Sequence, residues 1–439
     1  MLKDFIVEKW FCCEKEFNKN IIILETTART KMSEFLFKDN QHDVIFTNIE
    51  VVCPGCELSG LLLFYDMQDV PVYCTSIMST KEEAVKSPRG EIRLAFCEKC
   101  GFITNIAFDS EILKNSGSYE DQQSFSPTFK SYAEKLVDSL IRKYNLYGKN
   151  VVEIGCGKGD FLELLCKAGN NKGIGIDPLS QPERLTSEAS SYLTFIKEYY
   201  SEKHGQYLSD LLVCRHTLEH IYSTSHFMKT LRRSIDAHKE TIVFVEVPDT
   251  TRILSETAFW DIYYEHCSHF SPGSLARLFR HCGFEVIDLY RAYNNQYLLL
   301  EAKAATQSSS DVFNIEENPE DILHSIKLFL QRLDNMRIQW KQKIEQTYKK
   351  GKRAVIWGSG SKCVSFMTTL GIRDEIEYIV DINPYRQGKF IPAVGKEIVS
   401  PKFIKEYNPD LVIVMNSIYL NEIRKMINDM DLNPEVVSF

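Results

Sequence analysis

At 439 residues the chain is longer than one compact core organises, and two to three domains are expected. Its apolar fraction of 44% and charged fraction of 26% are ordinary for a globular protein. A net charge of −8 speaks against nucleic-acid binding, which needs a basic face, and no apolar run reaches the roughly twenty residues that span a bilayer. The start, Met1-Leu-Lys-Asp-Phe-Ile6, lacks the apolar stretch and small-residue cleavage site of a secretory signal. The thirteen cysteines are therefore expected to be reduced thiols plus a metal site in a cytoplasmic protein.

Residues 1–49 read as an N-terminal extension, with short strands at Ile21–Leu24 and Val44–Phe46 and a helical turn at Lys31–Phe37. Cys12-Cys13 is structural, because vicinal cysteines do not comfortably share one metal. Residues 50–108 form a small β-rich unit in which Cys53-Pro-Gly-Cys56 is answered by Cys97-Glu-Lys-Cys100-Gly101. Two C-x2-C knuckles with glycine in or after the turn supply four thiolates, the tetrahedral demand of a closed, structural zinc. Tyr73-Cys-Thr-Ser76 and Ile92–Cys97 read as strands between and into them. The polar segment Tyr119-Glu-Asp-Gln-Gln-Ser-Phe-Ser126 follows, and its Tyr119 either lines an active site or packs in a domain joint. Pro127 then opens a helix running from Thr128 to Tyr144, whose apolar residues recur at helical spacing.

Residues 109–303 alternate strand and helix, which implies a doubly wound, mostly parallel sheet. Val151-Val-Glu-Ile-Gly-Cys-Gly-Lys-Gly-Asp160 is strand, glycine-rich turn and helix start, able to pass close under a ligand and offer N–H groups to it. Gly173-Ile-Gly-Ile-Asp177 is a second buried strand ending in a carboxylate placed for a ribose diol. A dinucleotide fold reads similarly, but Glu153 stands where a dehydrogenase has an apolar residue. The E-x-G-x-G-x-G form of Glu153, Gly155, Gly157 and Gly159 resembles motif I of class I S-adenosylmethionine (SAM) methyltransferases.

Farther along, Leu193–Ile196 is a strand, and Glu198 and Tyr199 beyond it are placed to bond and stack an adenine. The strand Asp210–Cys214 opens into His216, Glu219 and His220, at the carboxyl edge where such sheets bind ligands. Two histidines four apart invite a metal reading, but further ligands are not near in sequence and an acceptor-facing strand end explains them better. After the strand Ile242–Pro248 comes a loop with Tyr263, Glu265, His266 and His269, more titratable groups than a connection needs. Helix, strand and a closing strand up to Ala302 complete the sheet. Residues 304–319 are a serine-rich linker, and 320–350 one long helix whose apolar stripe is core or domain-packing surface. The remainder to residue 439 is a small Rossmann-like unit. Its Gly358-Ser-Gly360-Ser-Lys362 turn and Asp381–Gly388 segment either hold a phosphate and a sugar or base, or are purely structural.

A four-cysteine unit, a SAM domain with a Tyr-x-Glu-His loop and a terminal Rossmann-like domain, in that order, resemble the nucleotide-sugar C-methyltransferases over residues 50–439. The resemblance implies zinc on Cys53, Cys56, Cys97 and Cys100, SAM at Gly155, Gly157 and Asp177, and catalysis around His220, Tyr263, Glu265 and His266. It further implies that the terminal domain closes over the nucleotide of the substrate. His216 and the Tyr119 segment depart from the family pattern. Both touch the acceptor pocket.

The residues support that chemistry on their own terms. Methylating carbon needs a carbanion, most accessible α to a ketone, formed by a base while donors hold the enolate oxygen. His266 is the expected base, oriented by Glu265 or Tyr263, with Tyr263 or His220 as the alternative enolate donor. The expected reaction is SAM-dependent methylation beside the ketone of a nucleoside-diphosphate 4-keto-deoxysugar by a monomer or homodimer. The alternatives are methylation of oxygen, nitrogen or a non-sugar carbon, or a module that only binds SAM or a sugar nucleotide.

Overall fold

The structure is a computed structural model that describes residues 33–38, 43–115, 118–185, 188, 191–306 and 312–439. The sequence-read strand Ile21–Leu24 and the Cys12-Cys13 pair lie outside these residues. Among the described residues, seven strands precede the helix Pro127–Tyr144: β1 (Ser33–Lys38), β2 (Asp43–Val52), β3 (Ser59–Pro71), β4 (Ser76–Ile77), β5 (Arg89–Phe96), β6 (Ile103–Asn105) and β7 (Ser118–Tyr119). The segment read as a helical turn at Lys31–Phe37 is instead strand β1 from Ser33, paired antiparallel with β2 from Ser33↔Asn48 to Lys38↔Asp43. Six cross-strand pairings override its local helical spacing. Tyr73-Cys-Thr75 is likewise a bend between β3 and β4, and only Ser76 of that run is extended.

Next come β8 (Asn150–Ile154), β9 (Lys172–Ile176), β10 (Leu193–Ile196), β11 (Leu211–Arg215), β12 (Ile242–Pro248), β13 (Ser268–His269), β14 (Phe284–Ala292) and β15 (Tyr297–Ala304). Apart from β13 they form one seven-stranded sheet in the order β10-β9-β8-β11-β12-β15-β14. Strands β8 to β12 run parallel, and β15 and β14 join antiparallel at one edge. The winding direction reverses between β8 and β11, which opens a crevice at their carboxyl ends. Strand β13 instead pairs with β6, Ser268↔Thr104 and His269↔Ile103, and so joins the first sheet, ordered β1-β2-β3-β5-β6-β13. That pairing carries the histidine-rich loop onto the edge of the cysteine-bearing sheet.

Helix Pro319–Lys349 leads into β16 (Ala354–Trp357), β17 (Tyr378–Val380), β18 (Glu397–Val399), β19 (Leu411–Val414) and β20 (Glu435–Ser438), an all-parallel sheet in the order β18-β17-β16-β19-β20. One apolar core joins the first sheet to the terminal unit: Phe46 and Tyr65 from the first sheet, Ile253 and Phe259, Phe329 of the long helix and Ile413 of β19 belong to it, while the seven-stranded sheet packs in separate cores. Among the described residues, no helix is long and apolar enough to cross a membrane.

Candidate active site

Cys53 and Cys56 lie on the turn between β2 and β3, Cys97 and Cys100 on that between β5 and β6. Each knuckle closes with the same two backbone bonds. Glu57 N donates to Cys53 O at 2.8 Å and Cys53 N to Leu58 O at 2.9 Å; Gly101 N donates to Cys97 O at 2.8 Å and Cys97 N to Phe102 O at 2.9 Å. Cys53 Sγ stands 3.7 Å from Cys100 Sγ, and Cys56 Sγ 3.7 Å from Cys97 Sγ. Four sulfurs on one tetrahedral zinc are roughly 3.8 Å apart, so the donor set and the spacing suit that ion.

The second constellation lies at the carboxyl ends of β8 and β9. Gly155, Gly157 and Gly159 all adopt positive φ, at +70°, +52° and +88°. A Cβ on Gly155 would stand 2.0 Å from Thr217 Oγ1, so both conformation and space demand glycine there. Asp177, just past β9, accepts from Gly157 N at 2.9 Å and Leu179 N at 2.7 Å. Burial raises its carboxyl, with those two amides opposing. Glu153 in β8 is buried, and desolvation lifts it to about 8 against the pull of Arg215. Its Oε2 has no hydrogen-bond partner among the described residues. Glu198 and Tyr199 follow β10 on the same edge of the sheet. Glu198 pairs with Lys203, which lowers its carboxyl, and Tyr199 is 57% exposed.

The third constellation forms where the turn after β11 meets the loop before β13. The rings of His220 and His266 meet edge-on with centroids 4.8 Å apart, and Tyr263 Oη lies 2.7 Å from His266 Nε2. Buried Glu219 brings Oε1 to 4.0 Å from that nitrogen. Burial pushes His266 well below the usual imidazole range, helped by the nearby His220, His269 and His216. It therefore stands neutral, able to accept a proton. Burial also pushes the Tyr263 hydroxyl up, so it keeps its proton and remains a donor.

Glu265 does not reach His266. Its Oε2 accepts from Cys74 N at 2.9 Å, Thr75 N at 3.1 Å and Thr75 Oγ1 at 3.3 Å, which pins the histidine loop to the bend after β3. Of the two side chains expected to orient His266, the structure brings only Tyr263 to it. His216, with φ +47° at the end of β11, lies between two carboxylates: Nε2 is 3.4 Å from Glu246 Oε1 and Nδ1 3.7 Å from Glu219 Oε1. Burial opposes its charged form, and the two carboxylates outweigh that and raise it to about 9.

Several residues that join these groups went unmarked in the sequence. Lys158, inside the glycine turn and buried, donates to Tyr119 O at 2.9 Å and lies 3.1 Å from Asp121 Oδ1. Gln122 Nε2 reaches both oxygens of Asp160, at 2.8 and 2.9 Å. The Tyr119 segment thus lies over the glycine turn, while the Tyr119 hydroxyl bonds Thr75 and feels Glu265 and Glu219. The only sequence signal for these residues was the polar and aromatic mixture at 119–126. Lys362, read either as holding a phosphate or as structural, is 3.0 Å from Asp261 Oδ1, turned onto the segment that leads to Tyr263. Ser365 Oγ donates to Ile262 O at 2.8 Å from the next turn of the same helix, Ser361–Leu370.

The methyltransferase domain family matches residues 128–289, and the C-methyltransferase C-terminal domain family matches residues 299–432. The C-methyltransferase NovU of Streptomyces niveus is 24% identical over 365 residues, 79% of this chain and 85% of that protein. The ubiquinone biosynthesis O-methyltransferase of Shewanella halifaxensis (strain HAW-EB4) is 25% identical over 152 residues, 30% of this chain and 61% of that one. Among solved structures, magnesium protoporphyrin IX methyltransferase from Synechocystis PCC 6803 with bound SAH aligns with 43% of this chain and 90% of its own, at 17% identity and a TM-score of 0.32. The chain is thus a SAM-dependent methyltransferase that carries, behind its methyltransferase domain, the C-terminal domain of the C-methyltransferases.

Proposed function

We propose that the protein methylates the carbon α to the ketone of a nucleoside-diphosphate 4-keto-deoxysugar. The observation that carries this reading is a neutral, buried imidazole paired with a protonated phenol: His266 Nε2 and Tyr263 Oη, 2.7 Å apart. Carbon methylation needs this pair, a base for the α-proton and a donor for the enolate oxygen. His266 takes the α-proton on Nε2. The Tyr263 hydroxyl, released from that nitrogen as the acceptor enters, donates to the oxygen that gains charge. SAM supplies the electrophilic methyl group, held over Gly155, Gly157 and Gly159 with its ribose at Asp177. Lys158 ties the two sites together by holding the backbone of Tyr119, whose hydroxyl faces the acceptor.

Zinc on Cys53, Cys56, Cys97 and Cys100 holds the fold, since four protein thiolates leave no open position for chemistry. The 24% identity to a C-methyltransferase over most of both chains supports attack by carbon. The likeness to ubiquinone O-methyltransferases is confined to 30% of this chain, and it supports a second reading, transfer to oxygen.

Incubation with SAM and a panel of nucleoside-diphosphate 4-keto-6-deoxysugars, followed by mass spectrometry and proton NMR, separates the two. A new methyl on carbon is expected. A methoxy signal would move the reaction to oxygen, and no methylation of any member would send the search to other carbon acids.

A further inference from the structure

Glu120 is 2% exposed, yet its side chain stands between three segments that are distant in sequence. Its Oε2 accepts from Arg184 Nη1 at 2.6 Å, in the stretch that follows β9 and Asp177. Its Oε1 accepts from Asn383 Nδ2 at 2.9 Å, just after Asp381 at the end of β17. Arg386, itself 4% exposed, donates to the Glu120 carbonyl and to Thr75 O at 3.0 Å, next to the amide that holds Glu265. Arg386 in turn is braced on the Gly358-Ser-Gly360 turn through Ser359 Oγ at 2.6 Å and Ser359 O at 2.8 Å.

On either side of Glu120 the chain contacts the two ligand regions. Tyr119 is held by Lys158 and faces the acceptor groups, and Gln122 is bonded to Asp160 at the head of the helix beneath the glycine turn. The terminal sheet and the SAM turn do not touch through these residues directly. They meet through this carboxylate and, beside it, through Gln122 O, which accepts from Asn383 Nδ2 at 3.3 Å, and Arg184, which stacks over Tyr385.

We propose that Glu120 is a positioning residue that couples the terminal parallel-sheet unit to SAM binding, so that docking of Asn383 and Arg386 orders the 119–123 segment over the cofactor. Because coupling between two sites is reciprocal, SAM must tighten the Asn383 contact as much as that contact tightens SAM. The chemistry requires a carboxylate. Both oxygens face N–H donors, so a glutamine satisfies one side and turns its own NH2 group toward a donor on the other. The proposal rests on the reading that the glycine turn holds SAM, and it is independent of which acceptor is methylated.

The test uses the full-length protein. SAM affinity is measured by calorimetry, and amide hydrogen exchange of residues 378–399 is followed with and without SAM. Glu120→Gln is expected to weaken SAM binding about tenfold, the scale of a charge-assisted hydrogen bond. The SAM-induced protection of 378–399 expected in the wild type should vanish with it. Asn383→Ala removes the bond to Glu120 Oε1, a longer one to Gln122 O and the turn bond from Tyr385 N, and leaves the Arg184 contact of Glu120 in place. It should lose the protection with a smaller loss of affinity, and it carries the test should Glu120→Gln fail to fold. Wild-type affinity and retained protection in these variants would overturn the proposal. Asp177→Ala is the control for the premise. Loss of SAM binding there isolates the coupling as the quantity under test, whereas unchanged binding would remove the cofactor site from the glycine turn and the proposal with it.

Discussion

At the scale of single residues, burial decides what His266 is able to do. Desolvation and three neighbouring imidazoles hold it well below its ordinary range, so it remains a neutral base under conditions where an exposed histidine is half charged. His266→Ala is expected to lower turnover by roughly 10²–10⁴, the usual worth of a general base, with SAM affinity by calorimetry unchanged. The acid limb of the wild-type kcat/KM profile should fall well below pH 6.5. His269, buried beside it, is lowered to about 4. Its proton therefore binds the unfolded chain first, and stability is complete above the unfolded pKa of about 6.5 and lost as pH falls through about 4. Urea melts at pH 7.5 and 5 should show that loss, reduced in His269→Gln.

At the scale of elements, the two-residue strand β13 matters more than its length suggests. Besides its pairing with β6, Cys267 O accepts from Thr104 Oγ1 at 3.0 Å and from Asn105 N at 2.9 Å, so the loop bearing Tyr263 and His266 is fixed to residues that begin three positions after Cys100. Arg277 Nε, from the helix Pro272–His281, also donates to Cys100 O at 2.9 Å. A metal held by the knuckles would therefore also hold the loop of Tyr263 and His266. We expect one zinc per chain by plasma mass spectrometry. Its removal with a chelator under mild denaturation, or Cys97→Ser, should cost most of the methyl-transfer activity and lower Tm, although no cysteine of the set touches the reacting groups.

At the scale of the whole molecule, the long helix Pro319–Lys349 does not merely connect. Ile322, Ile326, Phe329 and Leu333 are buried in the same core as Phe46, Tyr65 and Phe259, and Arg337 Nη2 donates to Tyr65 Oη at 2.9 Å. A chain ended at residue 306 would bare the surface of Phe46, Tyr65 and Phe259 that this helix and Phe366 cover. Such a truncation is expected to bind a hydrophobic dye and to give a broad, low thermal transition rather than a methyltransferase of lower activity. A cooperative melt at the full-length Tm would show that the first two sheets stand alone.

The sequence alone determined the local features. Strand–turn–helix at Val151–Asp160, the C-x2-C pairs, the strand ending at Asp177 and the parallel sheets were legible because glycine conformation, thiolate spacing and hydrophobic periodicity act within a few residues. The gathering of Tyr263, His266 and His220 was expected from titratable groups crowded at strand ends. What only the tertiary structure decided is which neighbour each of them has. Glu265 serves the bend at Cys74–Thr75 rather than His266, Lys362 meets Asp261 across the chain, and Lys31–Phe37 yields to pairing from Ser33 on. Glu120 and Lys158 are unremarkable in the sequence. Their roles arise from partners between 37 and 263 residues away, and no local pattern encodes which side chain a buried charge will meet.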